Sequence, residues 1–214
     1  MLVSHRKKFI YTKTKKTAST SVEIMFEPFC MPDGEWEYTI RRNQYVSDAG
    51  IIGRRGRQSG NMWYNHMSAR KIKEQIGDNI WNEYYKFCTI RNPFDKMISL
   101  FHFTRNVPTD DSNVVETFRR WISKHDGRHV DRDKYMIRGT QCVDFFVRYE
   151  YLQEDLEEVC SAVDADIDFS NMPVVHASSR SNDLSVADYY DSQATDRVSN
   201  MFDWEISTFG YSMP

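Results

Sequence analysis

Two stretches of this chain carry residues suited to holding an anion. The first is Lys13-Thr14-Lys15-Lys16-Thr17-Ala18-Ser19-Thr20-Ser21, between a β-forming run and a helical pattern. Successive backbone N–H groups in a strand-to-helix loop can surround a phosphate, and the positive end of the following helix adds to the attraction. Thr17, Ser19, Thr20 and Ser21 offer hydroxyls, and Lys16 offers a charge. The same residues fit a second reading, a capped helix start after a basic surface strand. A Walker A loop is excluded, because that motif needs glycines for close phosphate approach and this loop has none.

The second stretch is Thr89-Ile90-Arg91-Asn92-Pro93-Phe94-Asp95-Lys96-Met97-Ile98-Ser99. Arg91 directly follows an apolar run, and Ser99 lies eight residues on, about two helical turns. An arginine fork at a strand end suits a phosphate, and a hydroxyl on the helix can donate to the same group. The alternative is an ion pair between Arg91 and Asp95. A reaction at such a site also needs a base. Of the six histidines, His66 closes a predicted strand near the expected ligand, and His102 is the reserve, one turn beyond Ser99 on one helix face. An ordinary imidazole in that role would show in a pH profile near 6–7.

These residues need elements to position them. Lys8–Thr12 reads as a strand and Val22–Phe29 as a helix. Asn61–His66 reads as a second strand, and Ser68 caps a helix that ends near Gly77. Tyr84–Ile90 is the strongest strand, apolar throughout as expected for one buried on both faces. Pro93 opens a helix to about Arg105. Val114–Lys124 reads as a helix, Cys142–Arg148 as a strand, Glu150–Val163 as a helix and Gln193–Phe209 as a closing helix. The alternation predicts one α/β domain over 1–214, a three-layer sandwich with a mainly parallel central sheet. Residues 30–61 read as a long loop, either a substrate lid or a solvated excursion. Its Arg41, Arg42, Arg54, Arg55 and Arg57 fit an acidic saccharide or a solvated face. Trp36, Tyr38, Trp63 and Tyr64 fit sugar stacking or plain packing.

The bulk properties narrow the classes. The 214 residues are 40% hydrophobic and 28% charged, an ordinary globular balance. A net charge of -3 argues against a nucleic-acid partner, so any anion site must be built locally. No apolar run approaches the roughly 20 residues of a membrane span, and the start lacks a signal-peptide pattern, so a cytoplasmic protein is expected. Cys30, Cys88, Cys142 and Cys160 show no CxxC spacing and read as buried thiols. No carboxylate cluster calls for a metal.

Taken together, the two anion stretches resemble those of sulfotransferases that use 3′-phosphoadenosine 5′-phosphosulfate (PAPS). The KTASTS run is similar to the family's 5′-phosphosulfate loop, above all in the carbohydrate, heparan sulfate 2-O-sulfotransferase-like type. IRNPFDKMIS is similar to its 3′-phosphate element, with Arg91 and Ser99 at the contact positions. Val147–Leu152 with Asp155-Leu156, and Phe202-Asp203-Trp204 to Tyr211, resemble later segments in the family's order. The resemblance implies a fold related to nucleotide kinases and transfer of a sulfuryl group to a hydroxyl acceptor, with a carbohydrate among the candidates. Adenosine 3′,5′-bisphosphate is the implied product, and no metal is required. It places the 5′ side of the nucleotide on Lys16, Thr17, Ala18, Ser19, Thr20 and Ser21, with Lys16 at the bridging oxygen. The segment WYNHMS resembles the carbohydrate enzymes' HxHxS, with His66 as the base and Tyr64 replacing the first histidine. Arg180, in the basic loop from His176, is a further implied cofactor contact. The alternatives are a small-molecule kinase, disfavoured by the glycine-free loop, and a non-catalytic adenosine 3′,5′-bisphosphate module, which needs no base.

The 3′-phosphate element makes a direct prediction. Adenosine 3′,5′-bisphosphate should bind at least about tenfold more tightly than AMP, since a charge-assisted hydrogen bond contributes about 1.5–3 kcal/mol. Arg91→Ala should erase that preference with the fold intact. Calorimetry showing equal affinity of the parent chain for both nucleotides refutes the assignment.

Overall fold

A computed structural model describes residues 1–56, 60, 62–105, 113–175 and 184–214. The chain divides into two compact units, Met1–Ile90 with Asp131–Val175 and Arg91–Val130 with His176–Pro214.

The first unit is built on a six-stranded sheet. Its strands are β1 (Leu2–Ser4), β2 (Phe9–Thr12), β3 (Tyr45–Ser47), β4 (Gly50–Ile52), β5 (Tyr85–Ile90) and β8 (Phe145–Arg148), in the order β3-β4-β1-β2-β5-β8. A separate hairpin joins β6 (Met136–Ile137) to β7 (Thr140–Gln141). Alternation along β1 and β2 sends residues to opposite faces. Leu2, Phe9 and Tyr11 meet Val22 and Phe26 of α1 (Ser19–Phe26) and Leu156 and Val159 of α6 (Leu152–Val163). Met1, Val3 and Ile10 meet Ala69 and Ile72 of α2 (Ala69–Ile76) and Trp81 of α3 (Asp78–Glu83). Helices thus cover both faces.

The sheet is mixed, not mainly parallel. β2-β5-β8 is parallel, as the strand–helix alternation implies, but β3, β4, β1 and β2 pair antiparallel. Two short hairpins cause the difference. β1 turns into β2 within four residues, too few for a crossover. β3 and β4 arise inside the stretch read as a loop, and Gly50 is needed there because a Cβ would collide with the Val3 carbonyl. The expected strand at 61–66 is absent. Asn61 lies outside the described residues, and 62–66 run as bends and turns around one isolated parallel bridge, Tyr64 to Arg54, made by Arg54 N–H to Trp63 O at 3.0 Å and Asn65 N–H to Arg54 O at 2.9 Å.

The second unit is helical in its described residues. α4 (Pro93–Arg105), α5 (Val114–Ser123), α7 (Val186–Tyr189), α8 (Ser192–Met201) and α9 (Asp203–Phe209) surround Phe94, Met97, Phe101, Phe118, Tyr189 and Phe202. The expected single closing helix breaks at Phe202. No helix among the described residues is long and apolar enough to cross a membrane.

A buried ion network lies beneath α1. Glu23 Oε2 accepts from Lys13 Nζ at 2.7 Å and from Arg55 Nη1 at 2.8 Å, and its Oε1 takes the Met1 amine at 2.6 Å. Arg55 also meets Glu27, which takes Arg42 Nε at 3.0 Å. Arg42 and Arg55 are therefore neither a solvated face nor a saccharide contact. Burial pushes the Glu23 carboxyl up, but Lys13, the amine and Arg55 outweigh it and hold the carboxyl far below the carboxylate range. Removing one member leaves uncompensated buried charge. Glu23→Ala should cost about 3–5 kcal/mol, some 10 °C in a chain of this size. A thermal midpoint within about 2 °C of the parent contradicts the network's role.

Candidate functional site

The loop after β2 begins with a lysine that is not available to a ligand. Lys13 is fully buried on Glu23. The chain then turns through Lys16 at φ 59 and Ala18 at φ 56, both left-handed without being glycine. Such a residue costs on the order of 1 kcal/mol, so its surroundings must hold it there. Thr17 Oγ1 bonds Thr14 Oγ1 at 2.8 Å and Thr89 Oγ1 at 2.7 Å, and Ser19 Oγ donates to Thr14 O at 2.6 Å. Ser21 Oγ takes Val175 N–H at 3.5 Å. The hydroxyls of Thr17, Ser19 and Ser21 thus shape the loop from inside, and Thr20 is the more exposed of the four.

Ala18 occupies the N-cap of α1, and no side chain caps the helix. The reading of a capped start after a basic surface strand is therefore not what forms. The first-turn N–H groups of a helix have no intrahelical acceptor, and an Ala cap forgoes about 1 kcal/mol relative to Ser or Asp. What stands at the carboxyl end of β2 is a set of backbone donors at a helix's positive end, with Lys16 in the same turn.

His66 closes on this loop. It is partly buried, at φ 55, and its Nδ1 lies 3.1 Å from Lys13 O. A carbonyl only accepts, so Nδ1 carries the proton and Nε2 keeps the lone pair. Burial, then the Lys13 ammonium, push the imidazole down to about 3, against the opposing charge of Asp131. The expected titration near 6–7 therefore does not belong to this histidine in the ligand-free chain. Asp131 was not singled out from sequence. Its Oδ2 accepts Lys15 N–H at 2.9 Å from 116 residues away. Among the described residues, seven non-glycines have positive φ, and Lys16, Ala18, His66 and Asp131 are four of them. Backbone strain gathered in one place is a mark of functional sites.

The other expected residues lie in the second unit. Arg91 is paired with Asp95, its Nε at 2.6 Å from Oδ2, so the ion pair raised from sequence forms, and it orients the guanidinium. Ser99 is buried on α4. His102 Nε2 lies 2.9 Å from Tyr189 Oη, an engagement that a reserve base would have to give up. Arg180 and the loop from His176 lie outside the described residues, as does Arg57. Among the described residues, no group of three or more His, Cys, Asp or Glu side chains could hold a metal ion.

A family model described as "Sulfotransferase family" matches residues 1–212. The chain is also 27% identical, over 101 residues, to an uncharacterized protein of Archaeoglobus fulgidus, covering 45% of this chain and 82% of that protein.

The His66 geometry predicts an unusual titration. Ordinary imidazole changes charge at 6.5, whereas this one stays neutral down to about 3. Its signals in a proton–nitrogen NMR spectrum should stay fixed between roughly pH 5 and 8, with the proton on Nδ1. Because an unfolded chain takes up this proton below 6.5, its contribution to stability is complete above that pH and declines on acidification toward 3. A midpoint between 6 and 7 in the ligand-free protein contradicts the geometry.

Proposed function

From the premise that this chain belongs to the sulfotransferase family, whose model spans residues 1–212, we propose that it moves the sulfuryl group of PAPS to the hydroxyl of an acceptor, and that residues 1–214 form one domain for that purpose. The observation that carries the reading is the uncapped start of α1 beside Lys16. Lys16 and Ala18 are left-handed there, in a loop with no glycine, and no side chain caps the helix. The donor set fits a phosphosulfate: first-turn N–H groups, the Thr20 hydroxyl and one ammonium.

PAPS supplies, when bound, an activated sulfuryl group on a phosphate leaving group. The N–H groups of residues 17–21 hold the 5′ side. Arg91, already oriented by Asp95, and Ser99 hold the 3′-phosphate, with Arg180 as a further contact. His66 Nε2 takes the acceptor's proton as that oxygen bonds to sulfur. Lys16 stabilises charge on the departing phosphate oxygen, an interaction stronger in the transition state than in the ground state. We place the acceptor among carbohydrates, of the heparan sulfate 2-O-sulfotransferase-like kind. The likeness of residues 63–68 to the HxHxS segment supports this. So does Tyr64, whose hydroxyl takes Lys71 Nζ at 3.1 Å and whose ring suits sugar stacking. A non-catalytic nucleotide module is disfavoured because the proton on His66 Nδ1 leaves a lone pair on Nε2 that binding alone does not need.

Incubation with labelled PAPS and a panel of saccharide acceptors tests the reading. His66→Ala should lose about 10²–10⁴ in turnover while keeping its affinity for adenosine 3′,5′-bisphosphate. Lys16→Ala should lose turnover and also weaken PAPS binding, since the ammonium acts in both states. Nucleotide binding without labelled product on any acceptor favours the non-catalytic module. Full turnover in His66→Ala moves the base elsewhere, with His102 next.

A further inference from the structure

A loop that holds two left-handed residues without glycine needs restraints beyond its own sequence. Two lie within the loop, Thr14 to Thr17 at 2.8 Å and Ser19 to the Thr14 carbonyl at 2.6 Å, and a third reaches β5, Thr17 to Thr89 at 2.7 Å. They fix residues 14, 17 and 19, and none of the three touches the apex at Lys15 and Lys16. The apex is met by Asp131, whose Oδ2 accepts the Lys15 N–H at 2.9 Å.

Asp131 is itself built to stay in place. It is 5% exposed and holds φ 66. A 3-10 turn over Arg132–Lys134 follows it, and Lys134 N–H returns to the Asp131 carbonyl at 2.8 Å. A carboxylate beside an anion-binding loop repels the anion. Toward the ligand its contribution therefore lies in the loop's geometry and not in attraction, while its charge also opposes the fall of the His66 imidazole. We propose that Asp131 is a positioning residue for the phosphate loop: by accepting the Lys15 N–H, it sets the backbone from which Lys16 projects. The assignment rests on the loop being the anion site. It explains how the loop dispenses with glycine, since a distant side chain supplies the constraint that a Walker-type loop obtains from its own residues.

Two substitutions separate the carboxylate's parts. Asp131→Gly removes the acceptor while permitting φ 66 without strain. Asp131→Asn keeps an acceptor oxygen, tolerates the same backbone and removes only the charge. In Asp131→Gly, amide hydrogen exchange at Lys15–Ala18 should quicken about tenfold or more, with the amides of β2 and β5 unchanged. In Asp131→Asn the loop should keep its protection, and affinity for adenosine 3′,5′-bisphosphate should equal or exceed that of the parent, because a negative charge has gone. Turnover with PAPS should fall about 10- to 100-fold in the glycine variant, as expected for a misplaced catalytic group, and recover in the asparagine variant. In a Lys16→Ala background, Asp131→Gly should cost no more turnover than Asp131→Asn, which shares the loss of charge near His66, because the positional effect acts through Lys16. Unchanged loop exchange in Asp131→Gly overturns the proposal. So does faster exchange spread over the whole sheet, or an undiminished cost in the Lys16→Ala background. Should the glycine variant not fold, Asp131→Ala takes its place, alanine being held at φ 56 at position 18: exchange quickened only at Lys15–Ala18 supports the clamp, and unchanged exchange overturns it. The exchange readout needs no nucleotide. A parent chain that fails to bind adenosine 3′,5′-bisphosphate therefore removes the functional reading, while a loop-confined exchange effect still establishes the clamp.

Discussion

Lys13 connects everything that matters in the first unit. Its ammonium is buried on Glu23, about one turn into the helix that follows the loop, and its carbonyl takes the proton of His66 Nδ1. One residue therefore ties the end of β2 to α1 and to the histidine at once. A buried pair of this kind offers little net stability, because desolvation consumes most of the Coulomb gain. What it does provide is orientation. Glu23 carries several cationic partners, so α1 cannot rotate about its axis without leaving a charge unpaired in a medium that penalises it heavily. An apolar contact would hold the helix as close but would not fix its rotation, and the rotation decides where the first-turn N–H groups point.

The loop between these fixed ends is assembled by local conflict. Ala at the N-cap gives up a capping bond, and two left-handed residues give up backbone preference. Hydroxyls that could have capped the helix or met a ligand are spent inside the loop. Each choice is unfavourable alone, and together they place the first-turn N–H groups of α1, which have no intrahelical acceptor, beside a strained turn with no side-chain cap. Local rules that fail together where the rest of the chain obeys them are the pattern expected of a site shaped for a ligand.

How much of this was legible in the sequence depends on the range of the interaction. β5 and α4 read clearly because an apolar run of strand length and a Pro-initiated helix announce themselves locally. The loop read as an anion site because strand, hydroxyls, lysine and helix are contiguous. Glu23 and Glu27 did not stand out, since a carboxylate on a helix looks solvated until an arginine from another segment is known to bury it. Arg55 showed the converse, a surface charge by composition that lies in the core. β1, β3 and β4, three residues each, are too short for periodicity to register, so the antiparallel half of the sheet was hidden within turns and an apparent loop. Asp131 left no signal, because its partner is a backbone amide 116 residues away.

The low basicity of His66 is at odds with the proposed role of general base, and electrostatics offers a resolution. A general base works best with a pKa near the working pH, and an imidazole held at about 3 is weak. Part of that depression comes from the Lys13 ammonium, whose charge is felt strongly where water is excluded. A polyanionic ligand in the loop brings several negative charges to the same region and opposes that lysine. Protonation of His66 then becomes easier when the nucleotide is bound than when it is absent. On the proposed reading, the imidazole is neutral in the empty chain and would gain basicity with the sulfuryl donor in the loop. The acid limb of kcat, which reports the bound state, must then lie at higher pH than that of kcat/KM for the nucleotide, which reports the free one. The same lysine that fixes the loop thus couples the imidazole's proton affinity to the charge the loop holds.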